Sequence, residues 1–217
     1  MYDFFNVEQY NDLSLNQVHL ALISKNFLDR CDTLEFLVKF AQEPKIQQIA
    51  MEMLDDSNYL VRCSAYEILM YSSSEKVLKS IIKKLGKEKN RITRMYAVSS
   101  ICNIIKNGSK FDIKTVGKLR ALFENEHSSC VIIAYYSVFY LIDKDISYIR
   151  KILKFINNKS YHIRCNVINI ILDILDEDNH ELIFDTFEKR YNIEESEAVK
   201  SLLQLWIANL SESCAAY

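Results

Sequence analysis

Apolar residues recur at helical spacing along nearly the whole chain, in segments separated by short polar stretches. In residues 91–106, for example, Val98, Ile101, Ile104 and Ile105 lie three or four positions apart or side by side, as on the buried side of an α-helix. The pattern predicts twelve helices, at residues 15–25, 33–42, 45–54, 59–70, 75–85, 91–106, 112–124, 129–142, 146–156, 161–175, 179–191 and 195–210. Pro44 suits the first turn of the third helix, where its missing N–H needs no partner.

One of these segments occurs twice. Residues 55–69, DDSNYLVRCSAYEIL, return about a hundred positions later as residues 157–171, NNKSYHIRCNVINII. The two copies share a tyrosine, an arginine, a cysteine and an isoleucine at equivalent positions: Tyr59 and Tyr161, Arg62 and Arg164, Cys63 and Cys165, Ile68 and Ile170. Such internal sequence similarity indicates a repeat protein.

A shared signature extends the repeat to other parts of the chain. An acidic or amide residue is followed six positions later by a basic residue, in the pairs Asp56–Arg62, Glu88–Arg94, Asn158–Arg164 and Glu194–Lys200. Glu126 stands at the same distance before Ile132, and the second members lie 32, 38, 32 and 36 residues apart. Each interval is long enough for a helix pair. The acid falls in a loop and the base in the first turn of the next helix, so successive repeats are placed to exchange hydrogen bonds.

The motif D-x-x-x-x-V-R-x-x-A-x-x-x-L, formed here by Asp56, Val61, Arg62, Ala65 and Leu69, resembles a HEAT repeat. The resemblance is strong in the second, third and fifth repeats and weak in the fourth, where Ile132 replaces the base and Tyr135 the small residue.

This resemblance implies an all-α, right-handed α-solenoid of about five helix pairs and a terminal capping helix. Residues 1–217 would form one repeat domain, with an N-terminal cap over 1–26, repeats over 27–210 and a tail over 211–217. It also implies a structural ladder inside the stack rather than a phosphate or catalytic site for Asp56, Arg62, Arg94 and Arg164. Proteins of this family mostly bind other proteins, some bind nucleic acid, and a few are enzymes.

Composition narrows the class of protein further. Only one proline and three glycines occur, too few for a fold rich in tight turns or phosphate-binding loops. No HExxH, P-loop, GxGxxG or nucleophile-elbow motif is present. The four histidines show no metal-ligand spacing, and the single His-Glu dipeptide, His180–Glu181, excludes a di-iron hydroxylase similar to deoxyhypusine hydroxylase. We therefore expect no enzyme activity, no metal and no cofactor.

The six cysteines are scattered without a CxxC pair, and no apolar run approaches the length of a membrane span. The first ten residues carry no basic segment of the kind that opens a signal peptide. A cytoplasmic protein with reduced cysteines and no membrane partner is the resulting expectation.

The net charge is only −2, but the charged residues are unevenly distributed along the chain. Residues 1–73 hold 5 basic and 11 acidic side chains, residues 74–120 hold 13 and 3, and residues 173–199 hold 2 and 10. These segments carry −6, +10 and −8. Clustering of this kind either serves solubility or steers charged macromolecular partners.

Three groups of residues are candidates for contact with a partner. In a HEAT stack the second helices line the concave surface, so the resemblance assigns to that face a basic stripe made of Lys76, Lys79, Lys83, Lys114, Lys118, Arg150, Lys151 and Lys154. The second group is aromatic and comprises Tyr136, Tyr140 and Tyr148. The third is the acidic end, Asp178, Glu181, Asp185 and Glu188.

Each group also has an ordinary explanation. The lysines and the acidic residues are equally those of solvated helix faces, and core packing explains at least half of the tyrosines. If they do bind, the basic stripe suits a phosphate backbone or an acidic protein surface, an exposed tyrosine pair suits a protein interface, and the acidic end suits a basic partner.

The sequence favours a non-catalytic protein-binding solenoid that neutralises or regulates a partner by occupying its surface. Its Asn-, Ile-, Lys- and Tyr-rich composition resembles products of AT-rich bacterial or mobile DNA, some of which are HEAT-like immunity proteins. The expected partner is therefore a protein, for which a cognate toxin is one candidate. The alternative is a nucleic-acid-binding protein similar to HEAT-like alkylpurine DNA glycosylases. Against it stand a pI near 6.1 and a single tryptophan, Trp206, in the last helix. A bilin lyase similar to those of phycobilisomes ranks last because no motif supports it.

Overall fold

A computed structural model describes residues 13–214 of the chain and, among these, the side chains of residues 17–208. Within that range the secondary structure is helical throughout, without a β-strand, and the predicted all-α solenoid class is confirmed. The first twelve residues of the predicted cap and the last three of the predicted tail lie outside the described part. The contacts divide the chain into two compact units, with the boundary along the sequence between Lys110 and Phe111, and the single domain over 1–217 stays a prediction.

The first unit contains six α-helices arranged in two layers. They are α1 (Leu13–Leu22), α2 (Phe27–Leu37), α3 (Pro44–Met53), α4 (Tyr59–Leu69), α5 (Glu75–Leu85) and α6 (Arg91–Lys106), with a 3-10 turn at Val38–Phe40 after α2. One layer is the series α2, α4 and α6, in which each helix packs on the next. The other layer is α3 and α5, which pack on each other and on α4 and α6.

Burial of apolar side chains between the layers holds this unit together. In α4 every apolar residue from Val61 to Leu69 is buried, because neighbours cover more than one of its faces. In α5 the apolar residues fall on one side only, and Val77, Leu78 and Ile81 are almost entirely buried. The opposite side of α5 carries lysines, as expected of a second helix that faces solvent.

The second unit repeats the arrangement. It contains α7 (Ile113–Phe123), α8 (Ser129–Asp143), α9 (Ile146–Leu153), α10 (Tyr161–Leu172), α11 (His180–Tyr191) and α12 (Glu197–Cys214), with a 3-10 turn at Lys154–Asn157 after α9. The helices α8, α10 and α12 pack in series, α9 covers α8 and α10, and α11 covers α12. Nearly every position of α8 is apolar, and eight of its side chains are buried.

The largest departure from the predicted boundaries is at α2. The helix begins at Phe27 instead of residue 33, because the Asn26 side chain caps it by accepting the N–H of Leu28 at 3.1 Å. The earlier start places Arg30 in the first turn, 32 residues before Arg62. Arg30 is therefore an additional member of the repeat that the predicted boundary concealed.

A common loop precedes each first helix from α2 to α12. The side chain six positions before the repeat arginine, or before its replacement, accepts the backbone N–H two residues further on. The six accepting residues are Ser24, Asp56, Glu88, Glu126, Asn158 and Glu194. The signature found in the sequence thus describes a helix-entry loop.

The repeat arginines reach forward to the next loop instead of pairing with the acid six positions before them. Arg62 donates from Nε and Nη2 to both carboxylate oxygens of Glu88, at 2.7 and 2.9 Å, and from Nη1 to the carbonyl of Asp56 in its own loop at 2.8 Å. Arg30 makes the same two bonds to Asp56, at 2.8 and 2.9 Å. Each guanidinium therefore ties its own loop to the following one in a bidentate, charge-assisted contact.

The same two-bond contact between an arginine and the acid of the following loop, which we call a joint, recurs in the second unit between Arg164 and Glu194, at 2.8 and 2.6 Å. Arg164 also donates to the carbonyl of Asn158 at 2.8 Å, the equivalent of the bond from Arg62 to Asp56. In the first unit Arg94 occupies the corresponding place in α6 and donates to the carbonyl of Lys89 at 2.7 Å. We call the set of these arginine–loop contacts the ladder.

Glu194 is the most deeply buried carboxylate of the ladder, with no exposed side-chain area. Burial alone would raise the pKa of this carboxyl, but hydrogen bonds from Arg164, the Ser196 N–H and Arg190 outweigh it and lower the pKa to about 2. A carboxyl whose pKa is lowered on folding stabilises the folded state above its ordinary value of 4.5. That contribution is lost as the pH falls from 4.5 towards 2.

We expect Glu194→Gln to lower the free energy of unfolding by about 3 kcal/mol, because it leaves the buried Arg164 guanidinium without its counter-charge. Urea unfolding at neutral pH measures this loss. The variant should also lose less stability than the unaltered chain between pH 4.5 and 2.

Glu75→Gln serves as the control, since Glu75 pairs with Lys79 on the surface at 2.5 Å and half of its side chain is exposed. This variant should change stability by less than about 1 kcal/mol. Equal effects of the two substitutions would contradict the importance of the buried joint.

Candidate functional site

The ladder is interrupted once within the second unit. Ile132 stands where the other first helices carry a basic residue, an arginine in all but α12, and Asn158 stands where the next loop would carry a carboxylate. The two positions lie 26 residues apart, the same separation as Arg30 to Asp56 and Arg62 to Glu88. Both charges of this joint are therefore absent. No buried charge is left unpaired as a result.

A cleft of about 490 Å³ lies in the second unit beside this interruption, and we call it the α9 cleft. It is lined by residues of α8, of α9 with its 3-10 turn, and of the loop that follows: Tyr136, Lys151, Lys154, Phe155, Asn157 and Asn158. Two of the predicted basic residues and one of the predicted tyrosines therefore meet in a single place. Lys151 and Lys154 are three positions apart and both are exposed.

The polar groups of the α9 cleft are hydrogen-bond donors. The amide oxygen of Asn158 already accepts the N–H of Ser160 at 2.9 Å, and that of Asn157 accepts from Arg190 at 3.4 Å. The amide NH₂ group of each side chain remains available as a donor within the described residues. No aspartate or glutamate lines this cleft. Its lining thus combines two ammonium groups with two amides and suits an anionic, acceptor-rich group.

An aromatic cluster forms the floor on which Lys151 rests. The ring of Tyr136 packs against Phe123 with ring centres 5.4 Å apart, and against Tyr148 at 6.1 Å. The ammonium of Lys151 lies over Tyr148 at 4.5 Å and over Tyr136 at 5.6 Å. These cation–π contacts hold the lysine against the tyrosine faces.

Arg120 of α7 fixes the far side of this cluster. It donates to the Tyr148 hydroxyl at 3.2 Å and to Asp143 at 2.6 Å, and its guanidinium lies 4.9 Å from the centre of the Phe139 ring. The hydrogen bonds to Tyr148 and Asp143 raise the pKa of Arg120. Tyr148 is therefore held in place by Arg120 on one side and covered by Lys151 on the other.

Tyr140 has to be withdrawn as a partner-binding residue. It is only 1% exposed, and its hydroxyl donates to Asp176 at 2.6 Å and accepts from the amide of Asn179 at 3.1 Å. Burial, followed by the hydrogen bond to Asp176, raises the pKa of Tyr140 to about 12. Although four residues separate it from Tyr136, α8 is covered on that side as well, so Tyr140 is a core residue with a satisfied hydroxyl.

The predicted lysines of the first unit lie on the exposed side of α5. Lys76 and Lys79 are solvated, and Lys79 pairs with Glu75. Lys83 lines a second cleft of about 410 Å³, which we call the α5 cleft. Its lining mixes both signs of charge: Leu54, Asp55, Asp56, Arg62, Lys83, Lys84, Lys87, Glu88 and Lys89.

In the α5 cleft the carboxylates are paired within the chain, whereas three of the lysines, Lys83, Lys87 and Lys89, form no ion pair with a described residue. Glu88 is held by Arg62, and the ammonium of Lys84 contacts the carboxylate of Asp55. Burial would raise the pKa of Glu88, but the Arg62 hydrogen bond and the N–H groups of its loop lower it overall. The carboxylates of this cleft are thus all engaged by cations of the chain, and part of its basic surface is occupied.

The remaining predicted basic residues are exposed but line neither of these clefts. Lys114 and Lys118 lie on α7, and Arg150 lies on α9.

The predicted acidic end is an exposed surface of the second unit. Asp178 lies in the loop before α11, and Glu181, Asp185 and Glu188 are four and three positions apart on the helix. Residues at this spacing share a helix face. Glu188 also lines a cleft of about 390 Å³ together with residues of α11 and α12.

Within residues 13–214, no group of three or more histidine, cysteine, aspartate or glutamate side chains is placed to hold a metal ion. None of the described helices combines the length and the apolar character needed to cross a membrane.

Sequence reasoning did not identify three residues of the α9 cleft, Phe155, Asn157 and Asn158, as part of a binding site. Asn158 had been recognised only as a member of the repeat signature. A usable signal was present: the joint that lacks an arginine at Ile132 also lacks an acid 26 residues later. Detecting it requires knowing that the ladder runs forward to the next loop.

Comparisons with known proteins leave the family open. No protein-family model matches the chain, and no curated protein matches its sequence. Among solved structures, Mini spindles TOG3 from Drosophila melanogaster is 16% identical over 88% of this chain and 91% of its own, with a TM-score of 0.36. At this level of similarity the match carries no argument about function.

If the two charges of a joint are needed together, Ile132→Arg alone should destabilise the protein, because the guanidinium then faces the neutral Asn158 amide. Adding Asn158→Asp should recover stability by restoring the ladder pair. In a double-mutant cycle measured by urea unfolding we expect a favourable coupling of about 1–3 kcal/mol. A coupling of zero would show that positions 132 and 158 do not form a joint.

Proposed function

We propose that the chain is a non-catalytic, protein-binding repeat protein that acts by occupying a surface of its partner. One observation carries the proposal: the buried charges are paired in the ladder, whereas exposed ammonium groups of the second helices are left without counter-ions. Lys83, Lys151 and Lys154 form no ion pair with any described residue.

A surface of this kind is suited to recognition. Packed helices carry the side chains at fixed positions, so little ordering entropy is lost when a partner binds. Uncompensated charge accelerates encounter with an oppositely charged surface and discriminates against like-charged proteins. These properties support binding and do not require a reacting group.

The narrower form of the proposal is that the partner is a toxin and the chain is its inhibitor or immunity protein. The bacterial character of the composition favours it. The exposed acidic residues Glu181, Asp185 and Glu188 add a second surface, suited to a basic enzyme whose phosphate-binding groups carboxylates would cover. Survival of cells that produce a candidate toxin together with this chain tests this form directly.

Binding of nucleic acid is the second candidate, and the +10 charge of residues 74–120 favours it. The aromatic side chains of the α9 cleft weigh against it at that site. Single strands stack their bases on open aromatic faces, whereas Tyr136 and Tyr148 pack against each other and beneath Lys151.

The experiment is recovery of the tagged chain from cross-linked cells of its source, followed by calorimetric titration with the purified partner. We expect a stoichiometric protein partner. The double charge reversal Lys151→Glu and Lys154→Glu should weaken binding at least about tenfold, because each reversal replaces an attraction by a repulsion at close range.

The matched control is Lys159→Glu with Lys189→Glu, which changes the net charge equally at two exposed positions of the same unit that line neither described cationic cleft. Its affinity should stay within about twofold of the unaltered chain. Recovery of nucleic acid without a stoichiometric protein would overturn the proposal.

A further inference from the structure

We infer that the α9 cleft receives the carboxylate side chains of an acidic segment of the partner, and that two asparagines set this preference: Asn158, which lines the cleft, and Asn125, which stands at the repeat position of Asp55. The inference rests on the proposed function, since it names the chemistry of the partner at one site. Its starting point is a comparison of two clefts built from the same elements of the repeat: a second helix and the loop that follows.

Positions in the two clefts correspond when they are counted from the ladder loop. Lys84 lies four residues before Glu88 in the α5 cleft, as Lys154 lies four residues before Asn158 in the α9 cleft. A basic residue of the second helix is therefore kept, and the acid of the loop is replaced by an amide.

A second carboxylate is lost in the same way. Asp55, which contacts Lys84 in the α5 cleft, directly precedes the loop acid Asp56. The residue that directly precedes the loop acid Glu126 in the second unit is Asn125. Its amide donates to the carbonyl of Ala121 at 3.2 Å and carries no charge. Two of the three carboxylates that line the α5 cleft, Asp55 and Glu88, are thus replaced by asparagines in the second unit, and the third position keeps an acid.

The α9 cleft is therefore lined by hydrogen-bond donors and by no acidic side chain. In the α5 cleft the chain supplies the carboxylates itself, and Arg62 and Lys84 bind them. No carboxylate lines the α9 cleft, and Lys151 and Lys154 form no ion pair with a described residue; Asp145, which feels the charge of Lys151, lies outside the lining. A partner that brings carboxylates completes the same set of contacts from outside.

The aromatic residues favour carboxylates over nucleic-acid bases. The ammonium of Lys151 already lies over Tyr136 and Tyr148, and both rings pack within the cluster around Phe123 and Phe139. A base would have to displace the lysine to reach a ring face, whereas a carboxylate approaches the ammonium without moving it. The volume of about 490 Å³ lies within the range of ligand sites.

The probe is a hexapeptide of alternating aspartate and glutamate, titrated into the ¹⁵N-labelled full chain while amide resonances are recorded at low and moderate salt. An oligothymidylate of the same charge is titrated in parallel. Two variants, Asn158→Asp and Asn125→Asp, install the carboxylates that the α5 cleft holds at the corresponding positions. The control Lys159→Gln alters net charge by the same amount at a neighbouring residue that does not line the cleft.

We expect saturable shifts of the Lys151, Lys154, Asn157 and Asn158 amides on addition of the peptide. Asn158→Asp and Asn125→Asp should each weaken binding about tenfold, and Lys159→Gln less than about twofold. Aspartate is nearly isosteric with asparagine, and Asp56 serves the same loop position in the first unit, so the variants should fold. Their resonance dispersion verifies this.

Four results would overturn the inference: absence of saturable peptide binding, shifts centred outside the α9 cleft, undiminished affinity of Asn158→Asp, or tighter binding of the oligothymidylate at this cleft. Failure here is distinguishable from failure of the proposed function. A captured protein partner whose affinity Asn158→Asp leaves unchanged contradicts only the inference. Peptide binding at the cleft without any protein partner in cells contradicts only the proposed function.

Discussion

The two-bond contact between a guanidinium and the carboxylate of the following loop is the interaction on which the rest of the structure depends. Removing both ions from water is costly, so such a pair is tolerated only where all its hydrogen bonds are made. Here they are. Arg62 binds both oxygens of Glu88 and a carbonyl of its own loop, and Glu88 also accepts the N–H of Asn90. The contact thus joins two loops and the start of the next helix, and it sets the register in which successive first helices pack.

The structure tolerates a joint in which both ions are absent, because no buried charge is then left without its counter-charge. One such joint lies at the α9 cleft, and this links the ladder to the proposed binding site. With Ile132 and Asn158 neutral, the second unit lacks the carboxylate that would otherwise lie beside Lys151 and Lys154. The α5 cleft, built from the same elements, keeps its acids, and these pair with Arg30, Arg62 and Lys84. The two clefts therefore differ in whether the chain supplies carboxylates to them, and the difference follows from the asparagines at the positions of Asp55 and Glu88.

Helix positions were largely predictable because local signals fix them: the apolar period, Pro44 at the start of α3 and the turn at Asn107–Gly108, where Gly108 adopts a φ of +88°. Arg30 was not predicted as a repeat arginine because the capping role of Asn26 was not recognised. Periodicity also could not separate Tyr136 from Tyr140, since α8 is apolar on every side and only its neighbours decide which ring is covered. Predicting the α9 cleft required knowing which loop each arginine binds. That is a tertiary contact, and the six-residue signature within one repeat does not contain it.

A crystal structure of the chain with an acidic peptide bound would locate the recognised group directly. If the interrupted joint is the recognition site, a peptide carboxylate will lie within hydrogen-bond distance of the Lys151 or Lys154 ammonium and of the Asn158 amide, with the Arg164–Glu194 joint unchanged. A peptide bound instead in the α5 cleft, or along exposed lysines away from the interruption, would contradict the connection between the missing ladder pair and binding.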